Sequence, residues 1–186
     1  MSAEAFGRYV PAVITLDDLA DMNAADRYGH RYELSPERAL SVTPPPDSEH
    51  AAIASRLFAW LLLAGWPAEQ ILQAVGIRLP GADADGGRIP DLTLWAGAQP
   101  RSVWLDVADL VVVIEIVSPG SAATDEVIKV REYAAAGIER YWLVERDAAQ
   151  TVTMHVLGPD HTYDIAAKMP LAWLLRTSPA DHLPAL

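Results

Sequence analysis

Two carboxylates stand in apolar segments that the sequence predicts to be neighbouring strands. Glu115 interrupts the run VVVIEI at residues 111–116, whose other five residues are uncharged and β-branched. Asp91 follows Pro90 at the start of the apolar segment 89–96. Because an unpaired buried carboxylate is costly, such a group usually finds a cationic partner, a metal ion or a proton. Two of them on adjacent strands favour a site for a hard cation such as Mg²⁺, which takes carboxylate oxygens and keeps several waters.

A second set of polar residues follows the Glu115 segment at intervals of four: Asp125, Lys129 and Tyr133. This spacing places them in one stripe along a predicted helix. Lys129 is one of only two lysines among the 14 basic residues, so its position draws attention. The apolar side of the helix is marked by three other residues: Val127, Val130 and Ala134. Lys129 lies on the flank of that side, and an ordinary Asp–Lys pair on a solvated face is the simpler interpretation.

Glu33 and His50 are the remaining candidates. Glu33 is a carboxylate inside the strand-like segment RYEL, and His50 lies near the start of a long predicted helix. His50 could orient a carboxylate or contact a phosphate, although a histidine at a helix start is more often exposed. Simpler alternatives also stay open for the first pair: Glu115 could reach water or an arginine at the end of the sheet, and Asp91 could belong to a turn.

The helices and strands that must position these groups are predicted from the periodicity of apolar residues and from turn residues. Helices are predicted over three segments: 15–26, 48–65 and 124–137. Strands are predicted over eight segments: 31–35, 38–43, 70–80, 89–96, 110–117, 140–145, 151–158 and 161–165. The strand–helix–strand order near 110–145 favours a parallel pair with a right-handed crossover. The chain is therefore predicted to be α/β with a mixed sheet, residues 81–88 forming a loop, 118–121 a turn and the tail from Lys168 packing on the body.

Composition narrows the class of protein. With 186 residues, 51% of them hydrophobic, the chain has material for one domain, predicted to span 1–186. The absence of cysteine excludes a disulfide framework and a thiolate metal site. No apolar run reaches the length of about 18 residues that a membrane helix needs, and residues 1–13 lack signal-peptide features, so we expect a cytoplasmic protein. The net charge of −11 argues against a phosphate-rich partner.

Taken together, these residues resemble those of the Uma-type restriction endonucleases, a branch of the PD-(D/E)XK nuclease superfamily. The similarity covers most of the chain and depends on these motifs: Arg31-Tyr32-Glu33-Leu34, His50, Pro90-Asp91, Glu115-Ile116-Val117-Ser118-Pro119, Asp125-x-x-x-Lys129-x-x-x-Tyr133, Ala136-Gly137-Ile138 and Tyr141-Trp142.

The resemblance implies a restriction-endonuclease-like fold, with a mixed central β-sheet flanked by helices, often assembled as a homodimer. It implies a DNA-cleaving enzyme in which Asp91, Glu115 and the main-chain carbonyl of Ile116 hold Mg²⁺ or Mn²⁺. Lys129 and Glu33 would complete the catalytic set.

The sequence departs from the superfamily pattern at two places. The superfamily lysine lies two residues after the motif glutamate, where this chain has Val117; the resemblance assigns that role to Lys129 on the following helix. Asp125 would then tune Lys129. Pro36-Glu37 also replaces the Asp-Gly that usually follows the RYEL segment, which bears on the turn more than on the chemistry.

Two other functions stay open on the sequence. One is a nuclease-fold binding module without activity, which the acidic net charge favours. The other is a metal-dependent hydrolase of RNA or another phosphoester. A groove of arginines leading to Asp91 would favour nucleic acid, and four residues are candidates for it: Arg31, Arg56, Arg88 and Arg131.

Overall fold

The computed structural model describes residues 13–118 and 124–184, with side chains from residue 127 onward in the second range. Its α-helices are α1 (Leu16–Ala25), α2 (Ser48–Leu63), α3 (Val130–Ala135) and α4 (Leu171–Leu174), and a π-helix over Thr124–Lys129 precedes α3. The strands are β1 (Arg31–Leu34), β2 (Leu40–Thr43), β3 (Ile71–Gln73), β4 (Gly76–Leu79), β5 (Gly86–Arg88), β6 (Leu92–Trp95), β7 (Trp104–Asp106), β8 (Leu110–Ile116), β9 (Arg140–Val144), β10 (Thr151–Leu157) and β11 (Tyr163–Pro170).

Within the described ranges, these strands form two mixed sheets. One has the order β2-β1-β5-β4-β7 and the other the order β11-β10-β9-β8-β6-β3. The β4–β7 and β8–β9 pairs are parallel, whereas the other pairs are antiparallel. The predicted α/β class with mixed sheet and flanking helices is confirmed, as is the parallel pair expected near 110–145. The division of the strands between two sheets was not predicted.

The division occurs where the sequence predicts one continuous strand over 70–80. That segment is broken into β3 and β4, which belong to different sheets. Ala74, between them, has a φ of 52°, in the left-handed region that turns an extended chain sharply. The segment 81–88, which was predicted to be a loop throughout, ends in strand β5. Its glycines had been interpreted as loop residues.

Two glycines of the five-stranded sheet lie directly against one indole ring. A Cβ atom on Gly76 would lie 2.4 Å from the carbonyl oxygen of Val103 and 2.5 Å from the ring of Trp104, and one on Gly87 would lie 2.7 Å from the same ring. The indole nitrogen of Trp104 donates to the carbonyl of Leu16 at 2.9 Å, which fixes the ring in place. These glycines are therefore required by close packing in strands, not by a turn.

Replacing Gly76 with alanine is expected to destabilise the protein by about 1–3 kcal/mol, because the added methyl group overlaps main-chain and ring atoms that are held in place. Urea unfolding would measure the change. Gly97→Ala is the matched control, since a Cβ atom there meets nothing within 4 Å. Equal unfolding midpoints for the two variants would show that the indole ring can move aside.

The central strand β8 is buried on both faces, as its apolar sequence predicts. From Val112 onward, alternate residues enter two separate cores: Val112 and Ile114 join the core that contains α2, whereas Val113 joins the core that contains Tyr133 of α3. By the same alternation, Glu115 points toward the α3 side. The tail also packs on the body as predicted, with α4 contributing to the core on the α2 side.

Candidate active site

Asp91 and Glu115 are brought together by the register of two strands. In the antiparallel pair β6–β8, Leu92 lies opposite Ile114. Extending this register by one residue sets Asp91 opposite Glu115. Directly opposed residues of antiparallel strands place their side chains on the same face of the sheet. Both carboxylates line one cleft, as two ligands of a common cation must.

The cleft is open to solvent and combines residues from both sheets. Strand β1 of the five-stranded sheet supplies Arg31 and Glu33, and a proline-containing segment after β2 forms a wall. The full lining is Arg31, Glu33, Thr43, Pro44, Pro46, His50, Ile89, Asp91, Glu115, Ile116, Ser118 and Lys129.

Asp91 is held by three donors from three different elements. Arg31 Nη1 donates to Oδ1 at 2.9 Å, and the main-chain N–H of Ile116 donates to Oδ2 at 2.9 Å. The Nε2 atom of His50 lies 2.9 Å from the same Oδ2. Although burial alone raises the pKa of Asp91, the hydrogen bond and charge of His50, the Ile116 N–H and the charge of Arg31 together lower it below the usual value. Asp91 is therefore a carboxylate at neutral pH.

His50 is buried, in contrast to a typical histidine at a helix start. Asp47 caps helix α2 by accepting from the main-chain N–H of His50 at 3.0 Å. The cap fixes the first turn of the helix, and the imidazole reaches from that turn to Asp91. The sequence suggested that His50 could contact a carboxylate or a phosphate, and in the structure it contacts the carboxylate of Asp91.

Glu115 accepts two hydrogen bonds from the helical segment that follows it. Lys129 Nζ lies 2.9 Å and the hydroxyl of Tyr133 2.7 Å from Oε1 of Glu115. Burial, followed by the negative charges of Glu115 and Glu33, raises the pKa of Tyr133 well above its usual value, so its hydroxyl stays a donor. Two members of the predicted stripe thus meet the same carboxylate. The third, Asp125, has a side chain outside the described residues.

Lys129 does not lie on a solvated face: only 6% of it is exposed. Val127, expected on the apolar side of an α-helix, is instead 49% exposed, so that part of the prediction was wrong. The reason is the π-helix that ends at Lys129, because its i→i+5 turns change which residues share a face.

Glu33 is buried beside Lys129 and bound by main-chain and side-chain donors. The N–H of Ile89 donates to Oε1 at 2.6 Å. Arg88 Nη1 lies 3.4 Å and Lys129 Nζ 3.7 Å from Oε2. Glu33 therefore lies at the base of the cleft as a partner of two cations.

The four arginines that were candidates for a basic groove do not form one. Arg31 lines the cleft, but Arg88 is only 2% exposed and points away from solvent. Arg88 forms a bidentate pair with Glu132, in which Nε and Nη2 donate at 2.7 and 2.6 Å. Arg56 and Arg131 are exposed and neither lines the cleft.

Glu132 was not predicted from the sequence as part of the site. Its position three residues after Lys129 on an amphipathic helix resembles that of an ordinary solvated glutamate. The only clue to its partner lies in Arg88, 44 residues earlier, which no local pattern connects to it.

The donor atoms of the cleft suit a divalent cation that takes few protein ligands. Among the described side chains, no group of three or more His, Asp or Glu residues is arranged to hold a metal ion. The candidate ligands are therefore the carboxylates of Asp91 and Glu115 and the main-chain carbonyl of Ile116. Together with several waters, these oxygen atoms fit Mg²⁺, which dehydrates reluctantly and demands octahedral oxygen ligands.

No helix in the part of the chain that the structure describes combines the length and apolar character needed to cross a bilayer.

The fold is similar to that of a solved structure, the crystal structure of "a putative nuclease belonging to DUF820 from Anabaena variabilis", with a TM-score of 0.62, 19% identity, and coverage of 82% of this chain and 83% of that one. The model of the Uma2 family, described as "Putative restriction endonuclease", matches residues 16–179. The chain therefore belongs to the Uma2 family. The curated proteins contain no match to it.

Proposed function

We propose that this protein is a metal-dependent endonuclease that hydrolyses phosphodiester bonds of DNA in the cleft between the two sheets. The observation that carries the proposal is the meeting of three charged side chains from separate segments. Asp91 and Glu115 line the same cleft, and Lys129 Nζ lies 2.9 Å from Glu115. Membership of the Uma2 family, whose description names an endonuclease, supports it.

Asp91 and Glu115, with the carbonyl of Ile116, would hold Mg²⁺ or Mn²⁺. Such an ion, when bound, polarises a phosphoryl oxygen and lowers the pKa of a coordinated water. His50 and Tyr133 orient the two carboxylates, one through Asp91 and the other through Glu115. Fixed carboxylate orientation matters because partners of metal ligands commonly contribute about 10–100-fold in affinity or activity.

Lys129 supplies a compact positive charge for the negative charge that builds on the phosphate during hydrolysis. Its ammonium group is buried at the cleft, where water screens it little, so its effect on the reacting group is larger than in bulk solvent. An ammonium group acts as a point charge with three rotatable donors, which a planar guanidinium does not reproduce. Lys129 therefore positions the water or stabilises the transition state.

Arg31 is suited to binding a phosphate of the substrate. Its guanidinium lines the cleft with 23% of the side chain exposed and contacts Asp91 through Nη1. Guanidinium groups bind phosphate oxygens through two parallel hydrogen bonds. An overall charge of −11 with few cations at the cleft implies few contacts to phosphates, so we expect cleavage to depend only weakly on salt concentration.

The test is a cleavage assay with Mg²⁺ or Mn²⁺ on plasmid DNA, single-stranded DNA, RNA and a small phosphodiester, with EDTA added to parallel samples. The proposal predicts that DNA is cut and that EDTA stops the reaction. Preferential cleavage of RNA or of the small ester would establish the other hydrolase instead. If none of the four substrates were cut, the nuclease-fold binding module would be the better account.

A further inference from the structure

A chain of alternating charges runs from helix α3 through both sheets to the wall of the cleft. Glu132 binds Arg88, Arg88 contacts Glu33, Glu33 contacts Lys129, and Lys129 binds Glu115. None of the five residues is more than 6% exposed. Because buried charges must be matched by partners, each member constrains the position of the next.

Arg88 connects the five-stranded sheet to the helix that carries Lys129. It is the last residue of β5, and its Nε and Nη2 atoms bind both oxygens of Glu132. Glu132 follows Lys129 by three residues, so holding one fixes the helical turn that presents the other. The rigid fork of a guanidinium makes this contact directional, in contrast to a single ammonium–carboxylate pair.

The same guanidinium also counters the charge of Glu33. Lys129 lies between two carboxylates, 2.9 Å from Glu115 and 3.7 Å from Glu33. Arg88 Nη1, at 3.4 Å from Glu33, reduces the attraction of that carboxylate for Lys129. Without Arg88, the unmatched charge of Glu33 would draw the ammonium away from Glu115.

We propose that Arg88 is a positioning residue: bound to Glu132 and paired with Glu33, it keeps the ammonium group of Lys129 against Glu115. The consequence for catalysis rests on the proposed nuclease function, whereas the position of Lys129 does not. The alternative is that the Arg88–Glu132 pair serves only to hold the fold together.

The sequence offers an unusually direct probe, because Lys129 and Lys168 are its only lysines. In protein labelled with ¹³C- and ¹⁵N-lysine, an NMR spectrum of the side-chain Cε–Hε groups contains signals from each lysine, whether or not its ammonium group exchanges rapidly with water. A buried, paired ammonium also exchanges slowly with water and gives an observable ¹⁵N signal of its own. Lys168, which is exposed and paired with Glu145, is the internal reference.

The decisive variant is Arg88→Met/Glu132→Leu. Replacing a buried ion pair with apolar side chains of similar size is often neutral for stability, so the fold is expected to persist. We expect the Lys129 signal to shift or to broaden by faster exchange, while Lys168 is unchanged. Arg140→Met/Glu139→Leu, which removes a more exposed Arg–Glu pair, is the matched control and should leave both signals as they are.

An unchanged Lys129 signal in the folded double variant would overturn the inference. If that variant does not fold, Glu132→Gln and Arg88→Gln give the same readout, since each keeps a polar side chain but loses the bidentate ion pair. The inference predicts a displaced Lys129 signal in both, and a signal identical to the wild type in both would contradict it.

Catalysis gives a second readout that a purely structural pair would not move. In the folded double variant we expect kcat to fall by about 10–100-fold, as for other partners of active-site groups, with KM changed less than about twofold. If kcat per total protein fell only in proportion to the fraction of protein that is folded, the positioning role would be contradicted. If the wild type cuts no substrate, the nuclease proposal fails while the NMR result still decides the position of Lys129.

Discussion

Replacing Lys129 with alanine is expected to lower the rate of DNA cleavage by about 10²- to 10³-fold, the usual effect of removing one charge-stabilising group from an active site. The loss should appear in kcat, because the ammonium acts on charge that develops in the transition state. Initial rates on plasmid DNA at saturating Mg²⁺ measure it. Lys129→Arg should recover only part of the rate, since a planar guanidinium does not fit the space between two carboxylates.

The matched control for this prediction is Lys168→Ala, which removes the other lysine. Lys168 is exposed and paired with Glu145 outside the cleft, so its loss should leave cleavage unchanged. Removing Lys129 also leaves two buried carboxylates, Glu33 and Glu115, near each other without their common cation. Circular dichroism must therefore show that the alanine variant is folded before rates are compared. A folded Lys129→Ala protein that cleaves at the wild-type rate would contradict the role given to this lysine.

Replacing either metal-binding carboxylate with its amide is expected to lower cleavage by about 10³-fold or more. Asp91→Asn and Glu115→Gln keep the size of the side chain but remove the charge that would bind the cation. A bound ion contributes several kcal/mol to stabilising the transition state, and about 4 kcal/mol corresponds to about 10³ in rate. Rates over a range of Mn²⁺ concentrations would separate weakened binding of the ion from slower chemistry.

Asp26→Asn is the control for Asp91→Asn, because Asp26 also contacts a histidine and lies outside the cleft. Its Oδ2 atom is 3.1 Å from Nδ1 of His30, much as Asp91 is paired with His50. Cleavage by Asp26→Asn should match the wild type. Equal loss of activity in the two aspartate variants would mean that the effect of Asp91→Asn reflects folding and not the site.

Local patterns were sufficient to single out Asp91 and Glu115 as candidates, and the structure places both in one cleft. An acidic residue in an apolar strand is a signal that needs no knowledge of the tertiary fold, and both Asp91 and Glu115 carry it. Their opposition across β6 and β8 then follows from the strand register. The α/β class was also predictable, because strand and helix periods alternate clearly along the chain.

The environment of Lys129 could not be derived from periodicity. A count of 3.6 residues per turn placed Val127 inward and Lys129 on the flank, whereas the π-helix exposes the former and buries the latter. The scarcity of lysine and the spacing from Asp125 and Tyr133 drew attention to Lys129, whereas the resemblance to a family assigned it a role. Nothing in the local sequence distinguishes the start of a π-helix from that of an α-helix in this segment.

Contacts between residues that are far apart in the sequence could not be predicted from local patterns either. Arg88 was a candidate for a solvent-facing groove, but strand β5 directs it to Glu132 on a helix that follows β8. Gly87 was interpreted as part of a loop because the residue that needs it small, Trp104, comes 17 positions later. In both cases a tertiary partner, absent from any local window, decides the structure.

The decisive measurement is the binding of Mn²⁺ to the wild type and to Asp91→Asn/Glu115→Gln, followed by isothermal titration calorimetry without nucleic acid. If the two carboxylates form a cation site, the wild type binds Mn²⁺ and the double variant binds it more weakly by about 100-fold or more. Equal binding by two folded proteins would contradict the site at Asp91 and Glu115, and with it the proposed mechanism.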